Sequence, residues 1–99
     1  MDVREILNLL DEKGEVSLGT WKPISVKKNP DGTVDVLYRN LKVGSEEDPV
    51  FLWVYANVVE DEDEVDVRVL ERITFQKKDF TWLSRYVLPK EKVYKGVVE

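Results

Sequence analysis

The sequence predicts an α+β domain: an antiparallel sheet of four to five strands carrying an N-terminal helix and a short C-terminal helix. Three observations lead there. After Pro49, residues 50–59 are apolar, β-branched or aromatic at nine of ten positions, which is strand composition. Residues 65–75 come back with near alternation of apolar and polar side chains. The acidic run Glu60–Glu64 between them makes the pair a long hairpin with a wet tip. Finally, Asn29-Pro30-Asp31-Gly32 is a strong turn, because proline presets one dihedral and glycine accepts a positive φ.

Taken in order, Asp2 with Glu5 three residues later marks a helix start. Val3, Ile6, Leu7 and Leu10 then follow helical spacing, with Leu9 widening the stripe, and Gly14 suits a left-handed end. Residues 15–19 read as a short edge strand. Residues 21–28 read as the next strand, in which Pro23 signals an edge or a bend. Thr33 to Arg39 returns from the turn with Val34, Val36 and Tyr38 on one face, and residues 40–48 read as a loop.

The 50–59 strand is apolar on both faces and is therefore expected inside the sheet. In 65–75, Val65, Val67, Val69, Ile73 and Phe75 share a parity, while Glu71 falls on the inward side and Leu70 on the outward side. A β-bulge near 70–71 repairs that conflict. Asp79 caps a short helix over 79–88, stopped by Pro89, and 89–99 is a tail. The expected organisation is a single domain over 1–99: helix 1–14, sheet 15–75, helix 79–88, tail 89–99.

Composition narrows the chemistry. Ninety-nine residues suffice for one core, and 42% hydrophobic content excludes disorder for most of the length. Charged residues reach 35%, with no Cys and one Met, a composition associated with heat-adapted proteins. The N-terminus lacks a basic signal-peptide region and no run is long enough for a helical membrane span, so an intracellular location is expected. The net charge of −5 is uneven: residues 45–66 carry −9 and no basic residue, while residues 67–99 carry +4.

The absence of histidine removes the usual general base near neutral pH, the Ser-His-Asp triad and nearly every catalytic zinc site. The absence of cysteine removes the thiol nucleophile. No catalytic or metal-ligating residue and no cofactor motif is identified, and the expectation is a non-enzyme.

Two stretches remain as candidate sites, each with a plain alternative. Glu60, Asp61, Glu62, Asp63 and Glu64 are either a solvated tip that discourages edge association or an acidic lure for a basic protein surface. The run lacks the glycine and ligand spacing of a calcium loop. The basic-aromatic stretch from 77 to 95 offers Lys77, Lys78, Trp82 and Arg85, which could grip a phosphate backbone and stack bases. Its plain reading is core aromatics with a solvated charged flank. The Phe51-Trp53-Tyr55 row is core in one reading and a partner surface in the other, and Trp21 is the aromatic best placed for an interface.

The length, the absence of Cys and His, the Lys/Glu-rich surface and the Val-rich strands at 50–59 and 65–75 resemble the small orphan proteins of archaeal filamentous and rod-shaped viruses, including lipothrixviruses. The resemblance is one of general character over the whole chain and carries no site residue across. It implies an α+β fold, a homodimer in many cases, a place in the host cytoplasm, and a role as transcription factor, virion part or inhibitor of host defence. The functional expectation is a protein-binding module or inhibitor whose acidic end combines the 45–48 loop with the 60–64 tip. The alternatives are a nucleic-acid binder using the 77–95 face and a structural, self-associating subunit.

Overall fold

The computed structural model describes residues 2–76. They form one helix, α1 (Val3–Glu12), and four strands: β1 (Trp21–Lys28), β2 (Thr33–Gly44), β3 (Pro49–Glu60) and β4 (Val65–Gln76). The strands make one antiparallel sheet in the order β1-β2-β3-β4, so each strand pairs with its sequence neighbour. The α+β class and the antiparallel sheet stand as expected, with β3 in the interior. The short helix expected over 79–88 and the tail over 89–99 lie outside the described residues.

The helix begins where the sequence provides a cap. Asp2 is extended, and its carboxylate accepts a hydrogen bond from the Arg4 N–H at 3.3 Å. Ile6 and Leu10 are fully buried beneath it. Gly14, at φ 76°, lets the chain turn away, and the Leu10 carbonyl accepts from both the Glu15 and Val16 N–H groups. The expected strand over 15–19 does not form. Val16 is instead buried in the core and Leu18 is half-buried, so this stretch is a packed link from helix to sheet.

The helix-side core is built by parity. Val34, Val36 and Tyr38 of β2 and Leu52, Val54 and Ala56 of β3 alternate onto the face that receives Ile6, Leu10 and Val16. Trp21 is half-buried against this cluster. Strand β2 is longer than the sequence suggests, running to Gly44, so the loop shrinks to residues 45–48.

The bulge in β4 is present, and it does more than rescue one residue. The register shifts between Tyr55 and Ala56 of β3, which pair with Glu71 and Val69, and Leu70 is the extra residue. Val67 and Val69 therefore face the helix, whereas Ile73 and Phe75 pair with Trp53 and Phe51 on the opposite face. The single apolar face expected for β4 is thus two half-faces, because an inserted residue reverses parity beyond it. Leu70 itself stays 49% exposed.

Candidate functional site

The antiparallel order decides where the charged loops go. β1 and β3 run one way and β2 and β4 the other, so the 29–32 turn and the 60–64 tip share one end of the sheet. The hydrogen bond from the Val58 N–H to the Gly32 carbonyl, 2.9 Å, ties these two hairpins together there. The 45–48 loop lies at the other end of β3. Twelve residues of extended chain separate the two acidic segments, roughly 35–40 Å. The single acidic end composed of both is therefore corrected: loops that precede and follow the same strand must sit at its opposite ends.

What gathers at the tip is different. Glu60, Asp61, Glu62, Asp63 and Glu64 are all exposed, and the Asp61 N–H donates to the Glu64 carbonyl at 2.8 Å across the base of the loop. Beside it, Glu5, Asn8, Leu9 and Glu12 of α1 line a shallow cleft with Val65, the first residue of β4. The helix thus adds two exposed carboxylates to the tip's flank. No sequence pattern links Glu5 and Glu12 to residues 60–64; the helix–sheet packing does. Among the described residues no cluster of three or more acidic side chains is arranged to hold a metal ion.

A second cleft, of about 320 Å³, opens at the same end between α1 and the 29–32 turn. Ile6, Val34 and Val58 form its apolar floor, with Lys28 and Glu60 among its polar lining.

The opposite face of the sheet holds a buried polar network. Asp35 is fully buried, and its carboxylate accepts from the Trp53 indole Nε1–H at 2.9 Å and from Asn29 Nδ2 at 2.9 Å. Asn29 Nδ2 also donates to Thr33 Oγ1, and the Thr33 hydroxyl and N–H both donate to Asp31. The turn and the tryptophan are thereby locked to each other. A buried carboxylate held by oriented donors fixes side-chain geometry, because leaving any of these groups unpaired in a low-dielectric setting is costly. Phe51 and Trp53 are buried and Tyr55 is half-buried, stacked on Trp53 at 5.9 Å, so this aromatic row belongs to the interior.

Among the described residues, side chains occupy parts of the backbone along the outer strands β1 and β4 and where β2 overhangs β1. On β4, the Val67 carbonyl accepts from Lys13 Nζ at 3.0 Å and the Val67 N–H donates to the Asp66 carboxylate, while Lys13 and Asp66 pair with each other. The pairing and the Val67 N–H hold the Asp66 carboxyl below the usual carboxylate range, the Lys13 hydrogen bond being the larger cause. Arg72 Nη1 donates to the Glu15 carbonyl at 2.8 Å further along the same edge. Where β2 overhangs β1, Asn40 Oδ1 accepts from the Lys42 and Val43 N–H groups. On β1, Pro23 has no N–H and the register shifts between Pro23 and Ser25. These are the means by which a sheet avoids pairing with another strand.

Of the residues singled out from the sequence, the five tip carboxylates stand together on one exposed loop. Lys77, Lys78, Trp82 and Arg85 lie outside the described residues. No described helix is long and apolar enough to cross a membrane. No protein-family model, no curated protein and no solved structure matches this chain, so the geometry of its own surface carries the functional reading.

Proposed function

We propose that this protein is a non-enzymatic binding module that presents its acidic tip to a basic surface on another protein, in the manner of a viral accessory factor or inhibitor acting in a host cell. The observation that carries the reading is the placement of five consecutive exposed carboxylates on a hairpin tip, flanked by Glu5 and Glu12 of α1. Complementary charge steers encounter and selects partners more than it adds affinity, so an exposed tip of one sign suits capture of a basic partner.

The two alternatives gain less from the geometry. The described residues carry nine basic and seventeen acidic side chains, a net charge of −8 that repels a phosphate backbone. A nucleic-acid site on Lys77, Lys78, Trp82 and Arg85 would work against that field. Self-association through the sheet edges meets the side-chain closures at Pro23, Asn40 and Lys13–Asp66.

The test compares charge removal at the two ends. Immobilised protein is offered a host-cell lysate, and retained basic proteins are quantified at moderate salt. Asp61→Ser, Glu62→Ser and Asp63→Ser together should abolish capture. Glu46→Ser, Glu47→Ser and Asp48→Ser, at the far end of β3, should leave it intact. Equal loss from both triples would mean that net charge matters and the tip does not.

A further inference from the structure

The cleft beside the acidic tip is set by one ridge of α1. Glu5, Asn8, Leu9 and Glu12 stand at i, i+3, i+4 and i+7, so they share one side of the helix, and Val65 bounds the cleft from the start of β4. Leu9 and Val65 are half-buried and give it an apolar floor, while Glu5, Asn8 and Glu12 are exposed along its wall. Its volume is about 260 Å³. That is below the usual size of a small-molecule pocket, roughly 300–1,000 Å³, and suits the seating of an aliphatic side chain.

The charge around this floor has one sign. No basic residue lines the cleft, and Val65 follows directly on Asp61, Glu62, Asp63 and Glu64. Nearby carboxylates are matched with cations: Lys13 pairs with Asp66 and Arg72 with Glu15. Glu5 and Glu12 pair with no cation among the described residues. The β4 backbone next to the cleft is also taken. The Val67 carbonyl accepts from Lys13 Nζ and the Val67 N–H donates to Asp66, so a strand laid along this stretch would find those groups occupied.

We propose that the cleft seats a basic amphipathic helix of the partner, with Lys or Arg at two positions seven apart and an aliphatic residue three or four positions after the first. The spacing comes from α1 itself. Glu5 and Glu12 lie roughly 10.5 Å apart along the helix axis, and a helix laid alongside repeats that distance on one face at i and i+7. Its two cations meet Glu5 and Glu12, and the aliphatic side chain between them lies on Leu9 and Val65. The tip carboxylates add a field that draws such a helix in from the same side. This inference rests on the reading of the acidic end as a protein-binding surface, and adds to it the partner's conformation and the order of its charges. Net charge alone does not recognise that order; an apolar floor between two carboxylates does.

The test uses two labelled Ala/Gln-based peptides of about 18 residues, long enough to be helical, each with two lysines and one leucine. The first places lysine, leucine and lysine at i, i+4 and i+7; the second has the same composition with the leucine on the face opposite the lysines. Fluorescence anisotropy at low salt should give about tenfold tighter binding of the first, the sum of two exposed ion pairs and one partly buried aliphatic side chain. Glu5→Gln with Glu12→Gln should erase that difference, and so should Asn8→Lys at an exposed position, each variant being checked for an unchanged circular-dichroism spectrum. Equal affinity for the two peptides, with both weakened by Asp61→Ser, Glu62→Ser and Asp63→Ser together, overturns the helical cleft and leaves the acidic tip standing. A preference for the first peptide that survives in both cleft variants also overturns it. Failure of both peptides to bind overturns the cleft and the tip together.

Discussion

Tyr38 offers a perturbation whose size follows from one buried oxygen. Its ring is fully buried in the helix-side core between β2's neighbours Pro23 and Leu52, and its hydroxyl has no hydrogen-bond partner among the described residues. A buried unpaired hydroxyl costs about 1–3 kcal/mol relative to its hydration in the unfolded chain. Tyr38→Phe removes that atom and keeps the ring, so the variant should be more stable by about 1 kcal/mol, the lower end allowing for the lost dispersion contacts of the oxygen. In a domain of this size that raises the melting temperature by roughly 4–8 °C.

The pH dependence supplies an independent check. Burial first, and the nearby Asp11 carboxylate second, push the Tyr38 phenol well above its usual value of 10.0. Up to about pH 10 both folded and unfolded chains keep the proton and the group contributes no pH dependence. Above that the unfolded chain releases it while the folded chain holds it, so the wild type loses stability by about 1.4 kcal/mol per pH unit from this group. The variant escapes this loss. Its advantage should widen between pH 10 and pH 11 by about 1 kcal/mol in paired urea titrations, with all other groups cancelling in the difference. A less stable Tyr38→Phe protein at neutral pH, or parallel pH profiles up to pH 11, would refute the account of an unpaired hydroxyl.

Two further perturbations test the turn and the edge. Gly44 closes β2 at φ 87°, and a Cβ there would stand 2.9 Å from the Val50 nitrogen, so Gly44→Ala should cost about 2 kcal/mol or more in a urea titration. Gly14→Ala has the strained φ of 76° but open space around it, and should cost only about 1 kcal/mol; equal costs would show that the close approach at Gly44 is unimportant. Lys13→Ala removes the larger cause of the lowered Asp66 carboxyl, so an NMR titration should show that group moving back up toward the ordinary carboxylate range. The sign follows: the wild-type pair stabilises the fold above the unfolded-state carboxylate value and is lost as pH falls through the lower folded value. In the variant that acid-side loss shrinks, and an unmoved Asp66 titration would break the link between Lys13 and the β4 edge.

Local pattern was enough to write most of the sheet. Period-two alternation identified the inner face of β2 through Val34, Val36 and Tyr38, the turn chemistry of Asn29–Gly32 placed the first hairpin, and the two apolar faces of 50–59 put β3 inside. Each of these is a property of residues within a few positions of one another, where sterics and the alternation of side chains act directly.

What escaped the sequence depends on which distant segments meet. Val16 and Leu18 have strand-like spacing, but their side chains pack into the helix-side core and the stretch pairs with no strand among the described residues. The extra residue at Leu70 was legible, whereas the sharing of β4's apolar side chains between two faces needed the ladder with β3. The tip's acidic neighbours Glu5 and Glu12, the closure of Val67 by Lys13 from 54 residues away, and the burial of Asp35 under the Trp53 indole 18 residues on are all contacts of packed elements. The sequence by itself determined the hairpins and their inward faces, because backbone geometry converts spacing into direction. Only the tertiary structure decided which charges stand together and which polar groups are buried, because those follow from strand order and helix placement across the sheet.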